Sequence, residues 1–291
     1  MEMDPVFLTQ QVLNGLSFGA LLFLVASGFT LVFGLMRISN LAHGGIYLVG
    51  AYVAVSAVAA TGNFWLGVLS GAVAGAGVGL VVERGLLRRV RNQEMPEVLV
   101  TVGISFIIAD LVLAFFGGDP KSLPSGGTGA PSGVLTIGEF GYPYYRLFII
   151  GVTVLIGLAL FLLQKRTRIG AIVRAGVDNR EMAAAIGINI DAVFTGVFVF
   201  GALLAGVAGA IGSGLLSLTP SSGTEILLFA MVVVIVGGLG NIAGAAIGSV
   251  LIGIIDAFAK AWVPEFSYFT IFAPMALVLV FRPYGLLGRR S

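Results

Sequence analysis

The sequence predicts an all-α polytopic membrane protein, and three observations carry that prediction. Of the 291 residues, 58% are hydrophobic and only 10% are charged, with a mean hydropathy of +1.05. A soluble domain carries about 25% charged residues. The apolar residues gather in runs near the length of about 20 that crosses a hydrocarbon core as a helix. The basic residues fall almost entirely into alternate loops between those runs, as expected when positive loops stay on the cytoplasmic side.

About nine apolar segments follow in order, at 11–35, 43–60, 63–82, 98–116, 146–163, 192–212, 224–238, 241–259 and 267–281. The opening MEMDPVFLTQQ has two acids and no base, unlike the positive leader of a signal peptide, so the first run is expected to stay in the mature chain. With alternating spans, one side receives Arg37, then Arg84, Arg88, Arg89 and Arg91. It also receives Lys165, Arg166, Arg168, Arg174 and Arg180, and at the end Arg282, Arg289 and Arg290. Only Lys121, Arg146 and Lys260 land opposite. The N-terminus is therefore expected outside and the C-terminus in the cytoplasm. A pI near 9.0 reflects this asymmetry, not a nucleic-acid surface.

The loop at 117–145 opens on the turn formers GGDPKSLPSGGTGAPSG and is expected to be irregular. VLTIGEF beyond it suits a short hairpin, and Tyr142, Tyr144 and Tyr145 suit the membrane–water interface. An offset of about 178–180 residues aligns GGIYLVGAYV at 44–53 with TEILLFAMVV at 224–233, and Gly62-Asn63 with Gly240-Asn241. The aligned spans run in opposite senses, which predicts an inverted-topology repeat. Gly67, Gly71, Gly75 and Gly79 recur every four residues, as do Gly240, Gly244 and Gly248. On a helix each series makes a flat stripe that lets a neighbouring backbone approach closely. These stripes are read as packing.

Polar residues inside apolar segments are the candidates for function. His43 is the single histidine, in Ser39-Asn40-Leu41-Ala42-His43-Gly44-Gly45, and the repeat sets it opposite Thr219-Pro220-Ser221-Ser222-Gly223-Thr224-Glu225. Both stretches hold helix breakers before a short apolar run. A helix that starts inside the membrane offers free N–H groups and a positive dipole end to a substrate carboxylate. Asn40, His43, Thr224 and Glu225 are thus candidates to line a translocation path, with Thr101 and Ser105, four apart on one helix, behind them. Asp110, Asp256 and Lys260 rank lower; the last two are spaced i, i+4 and suit a simple pair.

The stretch QKRTRIGAIVRAGVDNREMAAAIGINI, from Gln164 to Ile190, interrupts the apolar pattern while keeping helical signals. Thr167 suits the cap of a first short helix ending near Gly176. Asp178 and Glu181 form a capping-box pair for a second. That second helix presents Met182, Ala183 and Ile186 and meets Gly187, suited to a left-handed stop. About two turns of helix are too short to persist alone in water. The small apolar face suits a groove in another protein.

In this stretch Arg174, Ala175, Asn179, Ala183, Gly187 and Ile188 fit the pattern R-A-x-x-x-N-x-x-x-A-x-x-x-G-I. It resembles the cytoplasmic coupling loop of permeases of the branched-chain amino acid ABC importer family, of the first permease-subunit type. The likeness extends to NGLSFGALLFLVASGFTLVFGLMRISNLAHGGIYLVGAYV, to TVGIS at 101–105 and to GGLGNIAGAAIG at 237–248. The resemblance implies a single permease domain over 1–291 in the bacterial cytoplasmic membrane, with no cofactor of its own. It also implies partners: a second, related permease chain, two ATP-binding subunits inside and a solute-binding protein outside. ATPase coupling would then fall to Arg174, Asp178, Asn179, Glu181, Met182, Ala183, Ile186 and Gly187. Relatives carry urea and other small polar solutes, so the resemblance leaves the cargo open.

Absent motifs narrow the classes further. GGDPKS lacks the glycine that a P-loop needs before Lys121, so this chain is not expected to bind ATP. No H-E-x-x-H occurs, and no catalytic cluster or metal site can be assembled. With no cysteine there is no disulfide or thiolate chemistry. An ion-coupled secondary transporter would need more ionisable groups at mid-depth than this chain offers, and a channel would need a filter ring that is not found.

Overall fold

The computed structural model describes residues 5–36, 40–91, 93–123, 129–138, 140–178 and 180–288. Its elements run α1 (Pro5–Met36), α2 (His43–Thr61), α3 (Phe64–Val82), a π-helical turn (Glu83–Leu87), α4 (Arg88–Val90) and α5 (Glu94–Phe116). A hairpin of β1 (Val134–Ile137) and β2 (Phe140–Pro143) follows, then α6 (Tyr144–Arg166), α7 (Arg168–Asp178) and α8 (Arg180–Ala185). The chain closes with α9 (Ile190–Gly212), α10 (Ser222–Gly237), α11 (Ile242–Trp262), a 3-10 turn (Pro264–Phe266) and α12 (Ser267–Phe281). Among the described residues, seven helices are long and apolar enough to cross a membrane, and α10 and α12 are shorter apolar helices. The protein is an all-α polytopic membrane protein. Each apolar run read from the sequence became a helix.

The core is built from two triplets, α1–α3 and α9–α11, each packed against the other. A Cβ placed on Gly15 of α1 would meet the Ile254 Cα at 2.6 Å, and one on Gly34 would meet the Gly240 Cα at 3.0 Å. α11 therefore runs antiparallel along α1. Likewise Gly71 lies against Ala210 (3.0 Å to its Cβ) and Gly75 against Gly206 (2.9 Å to its Cα), so α3 runs antiparallel along α9. The first helix of each triplet thus carries the third helix of the other. At the centre, a Cβ on Gly28 of α1 would meet the Gly201 carbonyl of α9 at 2.6 Å, and one on Gly223 of α10 would meet that of Gly44 of α2 at 2.7 Å. Gly44 and Gly223 differ by 179 in number, within the offset that aligned the two halves.

The paired Gly-Asn motifs share one geometry. Gly62 and Gly240 hold φ of +67° and +75°. The side chain of Asn63 accepts from the N–H groups of Trp65 and Leu66, and that of Asn241 from Gly244. A left-handed turn followed by an Asn N-cap starts α3 and α11 alike. Gly240 is accordingly not part of a helical stripe, as its spacing suggested: the cap at Asn241 places it in the preceding turn. Gly244 and Gly248 of α11 press on α10, and Gly67, Gly71, Gly75 and Gly79 press on α2 and α9.

The expected hairpin forms, with Ile137 paired to Phe140. Two of the three tyrosines beside it turn inward. Tyr142 is buried, with its hydroxyl 3.4 Å from Ser17 Oγ, and the Tyr145 hydroxyl donates to the Ile211 carbonyl at 2.6 Å. Only Tyr144 keeps the exposed position expected of an interfacial anchor. A phenol that finds a buried acceptor no longer needs water.

Close glycine contacts give the first prediction. Gly75→Ala forces a methyl to within 2.7 Å of the Ala202 carbonyl, whereas Gly77→Ala points into open space. Gly75→Ala should destabilise by about 1–3 kcal/mol through overpacking, and Gly77→Ala should leave the unfolding temperature in detergent unchanged. Thermal unfolding of the two purified variants checks the contrast.

Candidate functional site: a re-entrant centre, a polar cavity and a charged loop end

α2 and α10 are the two helices that begin part-way through the bundle. His43, first residue of α2, lies level with the middle of α1: its Nε2–H donates to the Val25 carbonyl at 3.0 Å, and its ring meets Phe29 edge-on at 5.7 Å between centroids. Gly28 makes room for it, since a Cβ there would sit 3.0 Å from His43 Cε1. Asn40 is equally buried, and its Oδ1 accepts from the N–H of Ala42, which bends the chain into α2. At α10, Thr219 and Ser222 exchange hydroxyl contacts, and the Thr219 N–H donates to Ser222 Oγ at 2.9 Å. Thr224 and Glu225 are exposed in the first turn, with Ser221 Oγ 3.3 Å from the Glu225 carboxylate. On α5, Thr101 is buried and donates back to the Val98 carbonyl, while half-buried Ser105 lies against Gly45. The six path candidates therefore gather around α2 and α10 without converging on one space.

A polar cavity does exist nearby, at the end of the bundle that carries the hairpin. It holds about 220 Å³ and is bounded by α1, α2, α10, α11 and α12. Glu225 lines it, together with Asp256 and Lys260. Those last two form the i, i+4 ion pair expected from their spacing, with Lys260 Nζ 2.7 Å from Asp256 Oδ2. Asp256 is buried and Lys260 about half exposed, its ammonium 4.9 Å from the ring centroid of Phe18. The sequence ranked this pair below His43. The fold reverses their access to open space, because the long loop before α10 folds over the end of α11.

At the opposite end lie α7 and α8. Thr167 Oγ1 accepts from the Gly170 N–H at 3.2 Å, the expected cap, and α7 runs to Asp178, two residues past Gly176. Exposed Arg174 donates to the Gln164 carbonyl, folding α7 back on α6. α8 ends as its sequence suggests. Gly187 has φ +88°, the Ile188 N–H donates to Ala183, and the Gly187 N–H donates to Ala184, a Schellman closure. Ala183 is buried, while Met182 and Ile186 are 61% and 70% exposed, so an apolar patch faces outward next to exposed Glu181. Asn179 and the side chain of Asp178 lie outside the described residues, as do Arg37, Arg289 and Arg290.

Beside these helices is a charged cluster that sequence reading missed. Buried Glu83, in the π-helical turn after α3, receives Arg91 Nη2 at 2.5 Å and the Thr195 hydroxyl at 2.7 Å. Arg91 also pairs with Asp191 in the first turn of α9 and covers the Phe194 ring at 5.1 Å; Arg88 joins Asp191 at 2.8 Å. The cluster ties the end of α3 to the start of α9, the helix that α8 feeds. Arg88 and Arg91 were legible only as loop charge. The one clue in the sequence was Glu83, an acid closing an apolar run, and the π turn that aims it leaves no sequence trace.

A bundle of apolar helices in two interlocked triplets, with helices that begin inside it, is the architecture of a polytopic membrane protein. Residues 11–279 match the family described as branched-chain amino acid transport system / permease component, and the chain belongs to that family. It is 32% identical to the high-affinity branched-chain amino acid transport system permease protein LivH of Escherichia coli (strain K12), covering 99% of this chain and 98% of the relative. Pseudomonas aeruginosa BraD, of the same description, is 29% identical over 96% and 95% of the two chains. The L-arabinose ABC transporter permease protein AraH of Azospirillum brasilense is 26% identical over 95% and 80%. No solved structure matches it significantly.

The charged cluster yields the second prediction. Glu83→Ala takes from Arg91 its buried carboxylate, leaving it the half-exposed Asp191, and should cost about 1.5–3 kcal/mol, whereas Arg88→Ala removes a half-exposed partner and should cost under about 1 kcal/mol. Chemical unfolding in detergent, one variant at a time, checks the ranking.

Proposed function

We propose that the chain is the membrane permease subunit of an ATP-driven importer of branched-chain or related amino acids, in a bacterial cytoplasmic membrane. One observation carries the reading: the family match spans nearly the whole chain and includes the stretch that folds into α7 and α8. Nine spans, with α10 and α12 completing the seven longer ones, put the N-terminus outside and the loop end of the bundle in the cytoplasm, in keeping with the basic loops. Two ATPases grip that end. The exposed Met182 and Ile186 enter a groove of one ATPase, Glu181 and Arg174 flank the contact, and Ala183 holds α8 against the bundle. A second, related permease chain completes the path, with Asn40, His43, Thr101, Ser105, Thr224 and Glu225 belonging to its walls or their support. A solute-binding protein delivers cargo at the hairpin end.

In this mechanism the permease does no chemistry. ATP-driven closure of the ATPases displaces α8, and the displacement reaches α9 directly and α3 through Glu83, Arg91 and Asp191. Because α3 packs on α9 by backbone contact, a push on one moves both. AraH, similar over 95% of this chain, bears a sugar's name, so a different small solute is the second reading.

The test is uptake of labelled leucine into proteoliposomes holding the whole transporter. ATP-dependent uptake should vanish when the ATPase P-loop lysine is replaced; uptake that persists would overturn the reading. Gly187→Leu, which imposes φ near +90° on a side chain and strains the backbone by about 1–3 kcal/mol, should leave ATP hydrolysis running while uptake falls. Unchanged coupling in that variant and in Met182→Glu would remove α8 from the contact.

A further inference from the structure

The polar cavity between α1, α10 and α11 includes only Glu225 of the six path candidates, and its chemistry is specific. We infer that it is a cargo site which holds the zwitterionic head of an amino acid between the Asp256–Lys260 pair and Glu225. The inference rests on the permease reading above and names the place where the cargo sits.

Four observations support it. The cavity holds about 220 Å³, below the roughly 300 Å³ at which sites for drug-sized ligands begin, so it suits one small solute. Its wall has two parts. Asp256, Lys260 and Glu225 supply charge of both signs, while Phe18, Phe229 and Ile271 supply an apolar surface that suits an aliphatic side chain. Asp256 is buried, yet its Oδ1 has no hydrogen-bond partner, and a buried carboxylate oxygen left unpaired is costly. Lys260, in contrast, is half exposed and held by a single carboxylate oxygen, so two of its three N–H groups remain for another acceptor. An α-ammonium group satisfies the orphaned Asp256 oxygen and Glu225, and an α-carboxylate satisfies Lys260. A second cavity of about 220 Å³ shares Phe18, Leu216, Asp256 and Lys260 and continues past Asn14 and Arg146 toward the hairpin end. Arg146 donates to Asn14 Oδ1 there at 2.5 Å, a second cation along the approach.

If the pair were only a staple within α11, a neutral pair of the same shape would serve as well. Asp256→Asn/Lys260→Gln keeps a hydrogen bond across the same turn and removes both charges. In reconstituted transporter, this double variant should assemble with an unchanged unfolding temperature and lose at least about tenfold of leucine uptake, the loss expected when a charge-assisted contact worth about 1.5–3 kcal/mol is removed. Uptake at the wild-type rate would overturn the site. Absence of ATP-dependent uptake in the wild-type transporter would instead overturn the permease reading itself, so the two failures are distinguishable.

A second measurement does not depend on turnover. The chain has no cysteine, so Ser217→Cys places a lone thiol of this subunit on the cavity wall. Millimolar leucine should slow its modification by a charged thiosulfonate at least about threefold, and 3-methylbutylamine, which lacks the carboxylate, should not. Protection by leucine should disappear in the Asp256→Asn/Lys260→Gln background. Equal protection by both solutes, or protection that survives neutralisation, would refute recognition of the zwitterion.

Discussion

Glycine meeting backbone across helices is the contact on which this molecule depends. Lipid tails are as apolar as leucine, so burying apolar side chains gives little drive for one helix to find another in the membrane. What remains is close packing, which is strongest where no side chain intervenes. Gly28 against Gly201, Gly44 against Gly223 and Gly75 against Gly206 bring main chains together at the centre of the bundle. The first helix of each triplet is clasped by the third helix of the other. Neither triplet is complete alone.

That clasp explains why two helices can begin inside the bundle. A helix starting at mid-depth exposes unpaired N–H groups, tolerable only where protein or a water-lined space surrounds them. The first N–H groups find backbone acceptors, His43 donating to the Asn40 carbonyl and Ser222 to that of Thr219, and the glycine crossing between Gly44 and Gly223 holds the two starts together. His43 belongs to this support, because its donation to Val25 fixes α2 against α1. The charged groups that reach open space stand one layer away, on α10 and α11. Structure and chemistry are thus separated by about one helix.

The two ends of the bundle divide the remaining work. At one, the loop before α10 covers a cavity lined by charges of both signs. At the other, α7 and α8 present an exposed apolar patch, and Glu83, Arg91 and Asp191 join the end of α3 to the start of α9. Antiparallel α3 and α9 run the length between them. α9 then leads into the loop whose Leu216, Ser217 and Leu218 line the cavity.

Much of this was legible in residue order. Apolar runs fixed the helices because lipid forces each span to satisfy its own backbone. Gly62-Asn63 and Gly240-Asn241 marked paired helix starts, since a left-handed glycine and an Asn cap are local chemistry, and Gly187 marked the stop of α8 for the same reason. What the chain order could not settle was which polar side chain meets which. His43 looked the better candidate than Asp256 and Lys260 because it stood beside a helix start; only the meeting of its ring with Val25, Gly28 and Phe29 closed its surroundings, and only the loop before α10 opened a space beside the pair. Glu83 and Asp191 are separated by more than a hundred positions in the chain, and a π turn with no local code aims one at the arginine that binds both. Contacts between distant residues are set by how helices pack, and periodicity within one helix carries no record of its neighbours.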